Sequence, residues 1–255
     1  MGVKTVGIGM IGTLALGASV DVASAATISW SGAINISNPG SNPTTDIDTS
    51  GQYMNAIYAG PSTSTVSDDG VTFYGGKFDE TDSPYHGDGI YSQNTLTTDP
   101  IVATGNFAGG QGGDYHVGGP GVTDTTYNTV LSYLAFNGNG NPGTSSDPYL
   151  TFSLNGLHQG DEYAVQIFVY QPSGGGNGAN ILGGPDLSSS GQYAIGTFVA
   201  DGTGSQTFTL DNPSGATIFD AVQLRDLSVP EPASVGLAVL GMSGVLMRRR
   251  RAVNL

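Results

Sequence analysis

The sequence predicts an all-β body, an antiparallel β-sandwich of jelly-roll type, and three observations point that way. Apolar and polar residues alternate over short runs, which is the period of a half-buried strand. Gly and Asp/Asn turns separate those runs. The composition joins 38% hydrophobic residues to only 11% charged ones, with Gly, Ser, Thr, Asn and Asp filling the remainder. Many short strands with polar turns make a sandwich.

In chain order, the alternation predicts strands over Thr27–Trp30, Gln52–Ala59 and Gly70–Tyr74. Thr129–Phe136 predicts a short helix, because Val130, Leu131, Leu134 and Ala135 fit helical spacing. Strands follow over Pro148–Leu154 and Glu162–Tyr170, the latter with Tyr163, Val165, Ile167 and Val169 on one face. Gln192–Ala200, Ser205–Leu210 and Thr217–Leu227 complete the set. Asn155-Gly156, Gln159-Gly160-Asp161 and Asp201-Gly202 are the turn signals between them. Two stretches rich in Gly, Pro and Ser, Gly105–Gly121 and Pro172–Gly191, read as long loops gathered at one end.

Both ends of the chain differ from this body. At the N-terminus Lys4 precedes an uncharged apolar stretch from Val6 to Val20. Ala23 and Ala25 then place small residues ahead of a cut before Ala26, the layout of a secretory signal peptide over residues 1–25. At the C-terminus Pro230-Glu231-Pro232 resists helix formation, since each proline fixes φ and Pro232 pushes Glu231 to an extended conformation. Ala233–Met247 is uncharged and mostly apolar, and Arg248, Arg249, Arg250 and Arg251 follow. As a helix, this stretch reaches roughly 22 Å at about 1.5 Å per residue, against a hydrocarbon core of roughly 30 Å. It reads as a marginal transmembrane helix, with the arginines as a cytoplasmic membrane stop. Residues 26–229 remain as a single domain.

Setting those ends aside sharpens the charge. The whole chain has a formal charge of −14. Residues 26–229 keep only Lys77 and Arg225 against 19 acidic residues, a formal charge of −17. Nucleic-acid affinity comes mainly from Lys and Arg displacing phosphate counterions, so a nucleic-acid partner is excluded. With no cysteine in the chain, disulfides and thiolate metal sites are excluded too.

The order Val229-Pro230-Glu231-Pro232-Ala233-Ser234, apolar helix, arginine cluster resembles the PEP-CTERM sorting signal. The resemblance implies an exported bacterial protein, held in the membrane by its C-terminal helix and processed by an exosortase, a transpeptidase-like membrane enzyme. It also implies an association with exopolysaccharide or extracellular-matrix production. Pro230, Glu231 and Pro232 are then recognised by the enzyme and catalyse nothing themselves. A plain membrane anchor is the competing account, but it needs no Pro-Glu-Pro and runs nearer 20 residues.

A second resemblance covers most of the body. Gly156-Leu157 with Glu162–Phe168, Gly191–Asp201, and Ala221-Val222-Gln223-Leu224-Arg225 are similar to segments of exported planctomycete proteins. This resemblance implies a galactose-binding-like or concanavalin-like sandwich and brings no catalytic residues.

Candidate chemistry in the body is sparse. Asp46/Asp48, Asp68/Asp69, Asp79/Glu80/Asp82 and Asp88 offer oxygen ligands of the type calcium takes, but no EF-hand frame. Asx turns account for the same residues. His86, His116 and His158 lack metal-binding spacing and read as solvated loop residues. No G-x-S-x-G elbow presents a nucleophilic serine. Tyr53, Tyr58, Tyr85, Tyr91, Tyr115 and Tyr170 are candidate sugar-stacking rings, or else core and cross-strand partners. Trp30 reads as buried, and Arg225 as a structural ion-pair partner.

The leading expectation is therefore a noncatalytic surface or matrix protein with no cofactor, and with calcium as the one candidate ion. The alternatives are a secreted carbohydrate-active enzyme with carboxylates facing across a cleft, and a calcium-dependent adhesion module.

Overall fold

A computed structural model describes residues 26–37, 46–61, 64–80, 86–93, 100–108, 115–116, 119–121, 124–137, 149–171, 177–212 and 215–229. The fold is all-β and sandwich-like, with two sheets packed through an apolar layer. The signal helix and the transmembrane helix expected at the ends lie outside the described residues.

The first sheet is centred on β17 (Ala221–Asp226), which pairs antiparallel with β11 (Glu162–Val169) on one side and β3 (Gln52–Tyr58) on the other. Beyond β11 lies β14 (Gln192–Val199), whose far edge is covered in succession by β1 (Ser29–Trp30) and β2 (Ile34–Asn35). On the other flank β3 runs parallel to the first half of β5 (Val71–Glu80), which also pairs with β4 (Thr65–Asp68).

β5 then leaves this sheet. From Gly76 onward it pairs with β6 (His86–Gln93) in the second sheet, so one strand serves both layers. The corner depends on glycine: a Cβ on Gly75 would run into the carbonyl of Pro61. A second corner lies at Asp220, where the chain passes from β16 (Thr217–Phe219) to β17.

The second sheet continues from β6 through β7 (Ile101–Ala108), β10 (Leu150–Asn155) and β15 (Ser205–Asp211) to β12 (Gly178–Ile181) and β13 (Asp186–Ser188). β16 joins β12 in parallel and pairs with β9 (Tyr133–Asn137), beside β8 (Tyr115–His116). The sheets are thus mixed: the expected antiparallel pattern holds except at β3–β5 and β12–β16.

Two local expectations need correction. The helix α1 spans Thr125–Val130, not Thr129–Phe136. Asp124 caps its first turn, accepting the N–H groups of Thr126 and Tyr127 at 2.8 and 3.1 Å. Leu134 and Ala135 are buried as members of β9 and not as a continuation of the helix. The two long loops are also shorter than expected. Gly105 belongs to β7, β8 falls within the first stretch, and β12 and β13 form a hairpin within the second.

Candidate functional site at the end where both termini leave

The fold brings its two ends to one place. β17 is buried along its whole length, and the chain leaves it under restraint. Leu227 N–H donates to the carbonyl of Glu162 at 2.7 Å, and Glu162 N–H donates to Ser228 Oγ at 2.5 Å. Ser228 N–H in turn donates to the Asp226 carboxylate at 2.9 Å. Val229 is exposed, and Pro230 is next in the chain.

Ala26 enters beside the turn between β14 and β15, where its carbonyl accepts Gln206 Nε2 at 2.9 Å. The entry and exit turns are themselves bonded. Ala200 N–H donates to Asp161 and Gly160 N–H donates to Ala200, both at 2.9 Å. Entry and exit therefore adjoin one pair of turns.

The strands at these two ends differ. The entry strands are two short pieces on an edge, seated by side chains. Trp30 meets Phe208 edge-on, with centroids 5.3 Å apart. A Cβ on Gly196 would strike Ile28 and Trp30 at 2.5 to 2.9 Å, and one on Gly184 would strike Trp30 at 2.8 Å, so these glycines form the seat. Trp30, expected buried, is partly buried there. The exit strand instead has a hydrogen-bonded neighbour on each side. A load applied to the C-terminus falls on the middle of a sheet.

A strap over the outer face of the first sheet extends this region. Asp46 to Gly51 crosses β11 and β17 and is held by their polar side chains. Gln166 Nε2 donates to the carbonyl of Asp46 at 2.6 Å, and Gln166 Oε1 accepts the N–H of Asp48 at 2.8 Å. Gln223 Nε2 donates to the Asp48 carbonyl at 2.9 Å and to Gln166 Oε1 at 2.6 Å. Arg225, read from the sequence as an ion-pair partner, gives its guanidinium to backbone carbonyls. It donates to Thr49 and Gly51 at 2.9 and 2.8 Å, and also to Ser50. Gly51 ends the strap at φ +64°, where a Cβ would collide with the Asp226 carbonyl.

Sequence reasoning missed this ladder, although a signal for it was present. Ala164-Val165-Gln166-Ile167 and Ala221-Val222-Gln223-Leu224 each set one glutamine inside an apolar run, and the two glutamines are register partners. A polar residue repeated within buried strands marks a hydrogen-bonding duty.

The other candidates resolve individually. Asp46 accepts the N–H and the hydroxyl of Ser37, each at 2.8 Å, and Asp48 accepts the N–H of Ser50 at 3.0 Å. The Asp48 bond is a local one of the Asx kind, whereas the Asp46 bonds tie the strap back to Ser37, nine residues earlier. Asp68 lies beside Asp124 and Asp69, and burial followed by these two charges pushes its carboxyl up to about 6. Among the described residues, no group of three or more His, Cys, Asp or Glu side chains is placed to hold a metal ion. His158 is 81% exposed and lies 3.6 Å from Asp161.

Tyr58 is buried at 1% exposure, so it is no sugar platform. Tyr53 donates to the Thr72 carbonyl at 2.5 Å, and burial, followed by Tyr74, pushes its hydroxyl up to about 12. Tyr170 is partly buried, and its N–H donates to Asp220 at 2.5 Å. Asp220 is fully buried at this corner, and burial drives its carboxyl well above the usual range. The side chains of Asp79, Glu80, Asp82, Tyr85, His86, Asp88, Tyr91, Tyr115 and His116 lie outside the described residues.

Of the processing residues, only Ala26 is described. Ala23, Ala25, Pro230, Glu231, Pro232, Arg248, Arg249, Arg250 and Arg251 lie outside the described residues, as does Ala233–Met247. Among the described residues, no helix is long and apolar enough to cross a membrane.

Comparison with known proteins is decisive at the exit and silent for the body. Residues 228–251 match the PEP-CTERM protein-sorting motif. No curated protein and no solved structure matches the chain. The match begins at Ser228, whose hydroxyl accepts the Glu162 N–H at the end of the first sheet. The chain carries a PEP-CTERM protein-sorting motif, which supports an exported protein targeted by an exosortase and associated with the membrane through its C-terminal region.

Proposed function

We propose that the protein is a noncatalytic component of the cell surface or extracellular matrix, delivered by a cleaved signal peptide over residues 1–25. It is held by a helix over residues 233–247 until an exosortase acts at Pro230-Glu231-Pro232, with Arg248 to Arg251 as the membrane stop. In this reading the body binds polysaccharide weakly.

The observation that carries the reading is the sorting match starting where the buried central strand releases the chain. A tethered body needs a tether that does not peel away its own sheet, and β17 supplies that through partners on both edges. Entry and exit at one end suit a body that leaves and then hangs from a single membrane surface. The noncatalytic part rests on the sequence, which offers no catalytic motif, and on described acidic side chains engaged in turn and cap bonds.

The test is export in a bacterium with and without its exosortase. With the enzyme, the surface form lacks the residues that follow the motif, as read by intact mass. Without it, the longer form accumulates in the membrane fraction, and Pro230→Ala with Pro232→Ala reproduces that accumulation. Recovery of the chain from the cytosol with both ends intact would overturn the reading. Retention on immobilised acidic and neutral polysaccharides tests the affinity separately; passage through all of them leaves a structural role alone.

A further inference from the structure

The geometry around β17 makes it hard to draw out of the fold. Each of its six residues has a register partner on both sides, in β11 and in β3. Both pairings are antiparallel, so their hydrogen bonds lie across the strand axis, and a pull along that axis loads them together. Leu227 N–H continues the ladder to the Glu162 carbonyl, so the chain departs along the same line. β1 and β2, two residues each, pair with β14 alone among the described residues. A pull on them meets few bonds, one short strand after the other.

Three features also oppose sliding. The two faces of β17 differ, so a slip of one residue toward the exit carries Gln223 into the place of Leu224, within the apolar layer. A slip of two carries Asp220 into the place of Val222, in the same layer. The pairing with β3 contains a bulge, its register shifting between Leu224 and Arg225, which ties the pair to one alignment. Finally, both ends of the strand are tied to their surroundings. At its start Asp220 N–H donates to the Phe168 carbonyl at 2.9 Å, and the Asp220 carbonyl accepts the Ala59 N–H at 2.8 Å. Near the exit Arg225 donates to the strap at Thr49, Ser50 and Gly51.

We infer that the body is a force-bearing module with a mechanical polarity: its C-terminal attachment, through β17, withstands a pull that strips the N-terminal strands from their edge. The function this adds is to hold tension between the membrane and whatever the body binds. The inference deepens the surface role proposed above and rests on it for one thing, the source of the load. Cut after the motif or left whole, a chain attached by its C-terminal region takes that load at Val229.

Force spectroscopy on the full-length chain tests this. The chain has no cysteine, so introduced cysteines are the only handles. Ser190→Cys provides an exposed handle at the far end, next to Ser189, whose carbonyl accepts the Gln171 N–H just beyond β11. It is combined in one protein with Val229→Cys and in another with Thr27→Cys, both exposed positions at the end where the termini leave. Rupture between positions 190 and 229 should need roughly three times the force of the first event between 190 and 27, since six residues paired on two sides are set against two short strands of two residues each. That first event should free only the segment up to Gly51.

Two variants separate mechanical from thermodynamic stability. Arg225→Met should lower the force between 190 and 229 and leave the first event between 190 and 27 unchanged. Leu210→Ala, in β15 of the second sheet, opens a cavity that lowers stability in urea without touching β17. Forced rupture reads an unfolding barrier and not an equilibrium, so this variant should leave the force at 229 nearly as it was. Equal first forces from the two termini, or a force at 229 that follows urea stability across both variants, overturns the inference. Failure of exosortase-dependent sorting overturns the surface role and leaves the force asymmetry standing, so the two fail separately.

Discussion

The two faces of the first sheet are both buried, yet they are built from different chemistry. Toward the second sheet, β11 presents Tyr163, Val165, Ile167 and Val169, and β17 presents Val222 and Leu224, all fully buried. Away from it, the same strands present Gln166, Phe168, Gln223 and Arg225, with the strap and α1 laid across them. The inner face is held by area and shape, which fix little about position along the strand. The outer face is held by donors and acceptors that fit only one placement of the strap. Burial alone does not distinguish the two; what each side chain would leave behind on removal does.

The largest difference should come from the inner face. Leu224→Ala opens a cavity in the middle of the sandwich and should cost about 3 kcal/mol in urea unfolding. The strap should stay protected from hydrogen exchange, because nothing that holds it has been touched. A comparable loss of protection at Thr49 to Gly51 would mean that the two faces are not separable.

Arg225→Met makes the converse change. It removes a buried cation and leaves the carbonyls of Thr49, Ser50 and Gly51 without it, for about 2 kcal/mol. The strap should then exchange fast while β10 and β15 remain protected. Equal stability with an intact strap would show that the carbonyls find water at no cost.

Gln223→Leu should be milder, about 1 kcal/mol. It loses two donations, but it also removes an Oε1 that is buried without a hydrogen-bond partner among the described residues. Gln166 continues to hold the strap at Asp46 and Asp48. A loss as large as that of Arg225→Met would make the glutamine pair the main fastening.

The same contrast explains what the sequence made legible. Alternation in Glu162–Tyr170 identified the inner face of β11 correctly, because period two reports the side packed on a continuous apolar layer. It did not reveal that Ala164, Gln166 and Phe168 are buried as well, since the strap that covers them lies more than a hundred residues away in sequence. Arg225 was legible as a structural residue; that its acceptors are carbonyls was not, because no residue type announces a backbone acceptor. The helix was misplaced because Leu134 and Ala135 are buried for a strand's reasons. The sorting tail was legible for the opposite reason: its chemistry is local and needs no partner from the fold.

The smallest effect, and the one with a pH signature, belongs to Asp68 at the margin of the outer face. One of its oxygens is buried without a hydrogen-bond partner among the described residues, and its neighbours Asp124 and Asp69 carry the same charge. With its carboxyl pushed up from 3.8 to about 6, the folded protein holds this proton more tightly than the unfolded chain does. Stability should therefore fall as pH rises from about 4 through about 6, the reverse of an ordinary paired carboxylate. Asp68→Asn removes that slope. The variant should match the wild type near pH 4 and exceed it by roughly 0.5 kcal/mol at pH 7, a modest figure because solvent screens a half-exposed group. Leu224→Ala, acting on the apolar face, should shift the whole stability-versus-pH curve without changing its shape. A penalty for Asp68→Asn that is equal at both pH values would instead make the bond from the Asp69 N–H the important one, and Asp68 a turn residue that stays charged throughout.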